Sequence, residues 1–444
     1  MVVPVVCRCD AVHVRSSTSD SVKRVEVAVF EGGYGIEWHK KVAAEYTKQF
    51  SAKGVVIGLW GEPRVVEKIK PRLLRGDPPD LVVATGVPMW LLIGAGKLVP
   101  FDAALRQPAF GADVPWGDLF VPGTLDTFKS GGHVYALPTG LSAWGCWYDA
   151  RLFREHGWNV PGTWSQFCNL CEAAHAAAIP PIAFQGKYPG YAWSTFICLV
   201  QRVGGLAAIN RINAMESGAF SHPDVVRAAG LAQDMAVRYF QRGAMAMTHT
   251  ESQLQFVNNQ AAMIFCGVWL ENEMKNCIPP GFEMRCFNVP AVEAGKGNPN
   301  LCNGSGGEFL FVPADARYPD EAIAFARYLI SPANAGDMTA TIGNPSSLKG
   351  CVNKDTITPA LRSAVDMIEN SPGIFDCRLP TLLLEWEQQV KTPLLASLLR
   401  GEIAPEDFCR RLDEGIAAAR ANPDIIIPEY VPYAPAAFGE RDDD

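Results

Sequence analysis

Alternating apolar positions open the first patterned stretch of the chain, VEVAVFEGG. Val25, Val27 and Val29 fall on one face, and the sequence then turns polar and glycine-rich. This reads as a strand running into a loop at Gly33. Between Gly35 and Phe50, residues Trp38, Val42, Tyr46 and Phe50 recur at helical spacing. A short strand over Gly54–Leu59 follows, then a helix near Arg64–Leu74, a turn at GDPPD and a buried strand at Leu81–Ala84. Strand, helix, strand, helix, strand predicts a doubly wound parallel sheet, an α/β fold. Ligands bind such sheets beyond the carboxyl ends of the strands, which puts Glu31, Tyr34, Thr85 and Gly86 at the edge of a candidate site.

The pattern continues with a glycine turn at Gly132, a strand ending at Pro138 and a second strand reaching Tyr148. A helix is predicted over Pro161–Ala178, with Thr163 as its N-cap. More helices lie between about Ser194 and Asn258, and the strand Ala261–Cys266 ends in GVW. A Gly/Asn-rich loop over Gly295–Gly307 precedes a strand at Glu308–Val312. Ala322, Ile323, Phe325, Ala326, Leu329 and Ile330 then line one face of a helix over Pro319–Ile330. Two helices separated at Gly401 occupy Pro380–Ala419, and the tail from Pro428 to ERDDD reads as mobile.

Composition narrows the function classes. With 444 residues, 48% apolar and 19% charged, the chain suits a globular protein of two or three lobes. A net charge of -8 with no Lys/Arg-rich block argues against a nucleic-acid partner. The apolar runs are too short and punctuated for a membrane span. Residues 1–20 begin MVVPVVCRCD and show no recognisable export signal, and Val6 is large for a lipoprotein cleavage box before Cys7. The thirteen cysteines include the pair Cys168 and Cys171, with His175 following, but no second ligand pair matches. These are read as incidental buried thiols, and no metal or cofactor is expected. The chain has no Gly-x-Ser-x-Gly elbow, phosphate-binding loop or HExxH, and its seven histidines are scattered, so no catalytic residue is assigned.

Five segments, in order, carry a resemblance: VEVAVFEGGYGIEWHKKVAAEYTKQF; PPDLVVATG with GKLVPFD; GGHVYALPTGLSAWGCWYDARLFREHGWNVPGTWSQF; AAMIFCGVW; and EAIAFARYLISPANA with GNPSS and RGEIAPEDFCRRLDEGIAAA. Together, over about Val25 to Ala419, they resemble the family-one extracellular solute-binding proteins of ABC importers, the group that includes a maltose-binding member. The resemblance implies a two-lobed clamp of type II that closes over a carbohydrate by hinge motion. It also implies a periplasmic or cell-surface location, ABC permease subunits as partners, and a monomer. It divides the chain into lobe one (22–139 plus 303–348) and lobe two (140–302 plus 349–425), flanked by a disordered or processed segment (1–21) and a mobile tail (426–444). Crossovers between lobes are expected near Thr139, Asn303 and Leu348.

A sugar offers apolar faces for aromatic stacking and hydroxyls for hydrogen bonds. The resemblance points to Trp269 after AAMIFCG, to Trp386 before Gly401, and to Tyr191 and Trp193 in GKYPGYAWS as stacking candidates. Trp144 and Ser142 follow the first crossover. Ser142 stands where the maltose-binding member has an acidic contact, which counts against maltodextrin. In lobe one, Glu31 is the leading polar contact and Tyr34 adjoins it. Asn303 and Glu308 mark the second crossover, Trp90 reads as packing, and Asp80 as a turn residue. Two rival readings share the fold: a glycosidase using Glu31 and Glu308 as a carboxylate pair, and a ligand-sensing receptor subunit.

Overall fold

The computed structural model describes residues 22–441. Its first sheet has the strand order Val55–Glu62, Lys23–Phe30, Leu81–Ala84, Phe309–Phe311, Leu137–Pro138. The first three strands run parallel, and Phe309–Phe311 returns antiparallel beside Leu81–Ala84. Both faces are covered, as a parallel sheet requires. Val25, Val27 and Val29 pack with Trp38, Val42 and Phe325 on one side. Ala28, Val82 and Ala84 pack with Ile69, Trp90 and Phe311 on the other.

The second sheet is built around Leu141–Asp149. Its order is Ile374–Phe375, Cys302–Gly306, Leu141–Asp149, Met263–Gly267, Ile182–Ala183, and Met284–Phe287 pairs with the distal half of the central strand. The helix Trp164–Ala176 packs in this lobe behind a Thr163 capping box closed by Gln166. The helix Tyr191–Asn213 is long and apolar enough to cross a membrane by length and composition, although the sequence reading found no such run. Its most apolar 18-residue stretch is 89% buried in the core of lobe two, and Gly205, at φ 67°, breaks the helix into two.

Three crossover segments lie side by side between the sheets. Thr139 N–H donates to Glu308 C=O (3.0 Å), Gly307 N–H to Gly140 C=O (3.1 Å) and Leu141 N–H to Pro345 C=O (2.8 Å). The second crossover falls at Gly307–Glu308 rather than near Asn303. Asn303 sits within Cys302–Gly306, paired with Ile374–Phe375, and belongs to the lobe-two sheet.

The tail requires a second correction. The segment from Pro428 to Glu440, read as mobile, packs against lobe two, with Tyr433 and Phe438 buried. Asn210 Nδ2 donates to Tyr433 C=O (2.9 Å). The break at Gly205 frees the Leu206 N–H, which donates to the Glu440 carboxylate together with Gln201 Nε2 and Asn298 N–H. The segment expected to be disordered or processed, residues 1–21 with Cys7, lies outside the described residues. Deleting residues 428–444 removes two buried aromatic side chains, uncovers the lobe-two surface they pack on and orphans these donors. We expect a loss of about 2–4 kcal/mol in urea denaturation. An unchanged midpoint would show that the tail contributes no stability.

Candidate ligand-binding cleft

Trp144 sits on the central strand of the second sheet in register with Gly267, two residues before Trp269. Gly267 is needed here because a β-carbon at that position would come within 1.9 Å of the Trp269 ring, which folds back over the strand end. The Trp144 ring lies 6.3 Å from Trp269 and 6.1 Å from Tyr191, and its Nε1–H donates to Thr195 Oγ1 at 2.8 Å. Trp144 is buried, whereas Tyr191 and Trp269 are half-buried. Burial holds the Tyr191 phenol well above its ordinary value, so it stays a neutral hydroxyl. Trp269 heads the helix Leu270–Met274. Within that helix, Asn272 Nδ2 donates to Ile342 C=O (2.9 Å), the end of the lobe-one helix Pro332–Ile342. The aromatic group therefore lies within a helical turn of a contact between lobes.

On the other side of Ile342 is a cavity of about 20 Å³ at the hinge, lined by Tyr34, His39, Thr139, Glu308, Ile342 and Asn344 among others. The Glu308 backbone is fixed by Thr139. Its residue as a whole keeps some exposure, but Oε1 is fully occluded and has no hydrogen-bond partner. Burial pushes the carboxyl up to about 8. His39, on the helix Glu37–Phe50, is 1% exposed, and its Nδ1 is likewise unpartnered. Burial pulls its imidazole down to about 4, so both groups are neutral at pH 7.

The structure brings together Trp144, Tyr191 and Trp269, and separately Tyr34 and Glu308. Ser142 shares a strand face with Trp144, and its Cβ would lie 4.0 Å from a β-carbon placed on Gly307. Glu31 ends the first strand, with its N–H on Glu62 C=O (3.3 Å), but is not among the residues lining the hinge cavity. Three candidates are revised. Trp193 is two helical positions from Tyr191, about 200° around the axis. With Tyr191 toward Trp144, it points into the lobe-two core against Phe196, Phe220 and Trp386. Trp386 stacks on Phe220 and donates Nε1–H to Leu412 C=O (3.4 Å). Asn303 is buried, donating Nδ2–H to Phe375 C=O (3.2 Å). Trp90 joins the lobes elsewhere, with Nε1–H on Thr381 Oγ1 (3.2 Å) and the Arg378 guanidinium over its ring. Asp80 accepts from Glu26 and Tyr318 N–H as a structural tie.

Sequence reasoning passed over His39, Asn272 and Asn344, whose placement depends on how separate lobes meet. Among the described residues, the cysteines are all free and no cluster of three His, Cys, Asp or Glu is suited to a metal.

Two sheets that exchange strands only through a bundle of crossovers define the class of two-lobed ligand clamps. Within that class, residues 33–336 match the family described as bacterial extracellular solute-binding protein, and the chain belongs to it. It is 26% identical over 359 residues to the diacetylchitobiose binding protein NgcE of Streptomyces coelicolor, covering 78% of this chain and 74% of the relative. It is 27% identical over 241 residues to a multiple sugar-binding protein of Streptococcus mutans, covering 52% of this chain and 55% of the relative. Among solved structures, one described as a chitin oligosaccharide binding protein superposes with a TM-score of 0.71 at 21% identity, over 91% of this chain and all of that one.

The occluded carboxyl has a consequence for stability. Between its ordinary value of 4.5 and about 8, folded Glu308 holds a proton that the unfolded chain has released. Its contribution to stability is therefore complete below that window and is lost as pH rises through it. Glu308→Gln should flatten the fall in unfolding free energy between about pH 5 and about pH 8, measured by urea denaturation against wild type. Identical pH profiles would show that the Glu308 carboxyl titrates normally.

Proposed function

We propose that this chain captures a small carbohydrate outside the cytoplasm by lobe closure and delivers it, as a monomer, to ABC permease subunits. The observation that carries the reading is the Trp144–Tyr191–Trp269 group beside the lobe contact made by Asn272. Aromatic rings stack on the C–H faces of a sugar and reward an uncharged, hydroxyl-rich ligand. The name of the Streptomyces coelicolor relative makes diacetylchitobiose the first saccharide to test. The relatives are named as binding proteins, which favours capture of an intact ligand over a glycosidase.

A thermal-shift titration with diacetylchitobiose and a panel of mono- and oligosaccharides should raise the melting temperature with dose, since a ligand that binds only the folded state stabilises it by mass action. The saccharide should be recovered intact. No shift across the panel would remove carbohydrate from the reading, and cleaved ligand would replace binding with hydrolysis. Trp269→Ala should weaken binding by about 1–3 kcal/mol in isothermal titration. Unaltered affinity in the folded variant would take Trp269 out of the site.

A further inference from the structure

We propose that Glu308 and His39 form a polar subsite at the hinge that takes one neutral hydroxyl group of the bound ligand. This rests on the carbohydrate reading and assigns part of the same site. Buried polar atoms without partners are rare in folded proteins and call for an explanation at each position. Here Glu308 Oε1 and His39 Nδ1 are both unpartnered, and both residues line the same cavity. They come from different elements, a crossover and the helix Glu37–Phe50, so no local turn forces the coincidence.

The cavity, at about 20 Å³, holds one water-sized group and excludes a sugar ring. What enters is a single substituent, with the ring outside toward the lobe junction. A hydroxyl both donates and accepts, so one such group satisfies a carboxyl and an imidazole together. The chemistry of the walls favours a neutral guest. Tyr34 and His39 are the other titratable side chains lining the cavity, and burial keeps His39 uncharged at neutral pH. Glu308 is also held in place before ligand arrives. Its carbonyl accepts from both Thr139 N–H and Thr139 Oγ1–H, while Gly307 N–H is held by Gly140. The side chain thus projects from a hydrogen-bonded part of the connection between lobes, and a group bound there is positioned relative to both.

The test uses the full chain with Glu308→Ala and Glu308→Met, the second being apolar and of similar length. Two quantities are read: the melting temperature without ligand, and the dissociation constant for diacetylchitobiose, raffinose, maltose and galactose by isothermal titration. The subsite predicts ligand-free melting at or above that of wild type for Glu308→Met, because an unpartnered carboxyl is removed. It also predicts roughly tenfold or greater weakening of the saccharide that wild type binds. If Glu308→Ala alone is unstable, Glu308→Met decides. Wild-type affinity in Glu308→Met overturns the subsite while leaving the carbohydrate reading intact. A ligand-free melting temperature lowered by several degrees in both variants also overturns it, by showing that the carboxyl is structural. A wild-type protein that binds neither these four sugars nor any other of the mono- and oligosaccharide panel overturns the carbohydrate reading, and the subsite with it.

Discussion

The hydrogen bonds that hold the three crossovers together are the constraint on which the rest depends. Thr139 to Glu308, Gly140 to Gly307 and Leu141 to Pro345 are backbone contacts, independent of side-chain identity except where glycine is needed. They bind the exits from the first sheet to the entrances of the second, so the lobes share a short, narrow seam. Contacts elsewhere add to this, among them the Asn272–Ile342 and Trp90–Thr381 bonds and the Ile374 N–H donated to Pro122 C=O (2.8 Å). A connection of this kind is stiff along its strands and permissive in rotation about them, which is the mechanical requirement for a clamp.

Lobe two carries the aromatic group because of how its central strand and its longest helix meet. Trp144 anchors itself through Thr195 on the helix that begins at Tyr191, so one hydrogen bond fixes two members of the group relative to each other. The third member depends on Gly267, whose missing side chain makes room for the Trp269 ring. Aromatic faces left half-buried in this position keep apolar surface in contact with water, and covering that surface is favourable.

The alternation of Val25, Val27 and Val29, the run Leu81–Ala84 and the N-cap at Thr163 were legible in the sequence because they are local. Each follows from pleat, burial or capping, and each is present in the fold. The second crossover was placed a few residues early because Cys302–Gly306 has no apolar alternation. Its pairing is decided by Leu141–Ala143 and Ile374, far away in sequence. The tail was misread for the same reason. Pro428–Glu440 is rich in proline and polar residues, and only the broken helix at Gly205 creates the donors that Glu440 satisfies. For the site, tryptophan identity alone did not separate stacking from packing. Trp144, Trp193 and Trp386 are buried in one lobe-two core, and they differ only in their neighbours: Trp144 meets Tyr191 and Trp269, whereas Trp193 and Trp386 meet each other and Phe220.

The two parts of the cleft divide their work according to where each is mounted. The aromatic group is mounted on lobe two, within a helical turn of the Asn272–Ile342 contact with lobe one. Glu308 belongs to the seam itself, with its carbonyl bonded to the neighbouring crossover at Thr139. An apolar face tolerates sliding, because dispersion and burial vary slowly with position. A hydrogen bond does not, since it weakens steeply with angle and distance. In the proposed site, a tolerant interaction on one lobe and a directional one at the crossovers would let closure proceed with the least disturbance of the directional contact. A neutral acid and a neutral imidazole are also far less costly to enclose at the seam than charged groups would be.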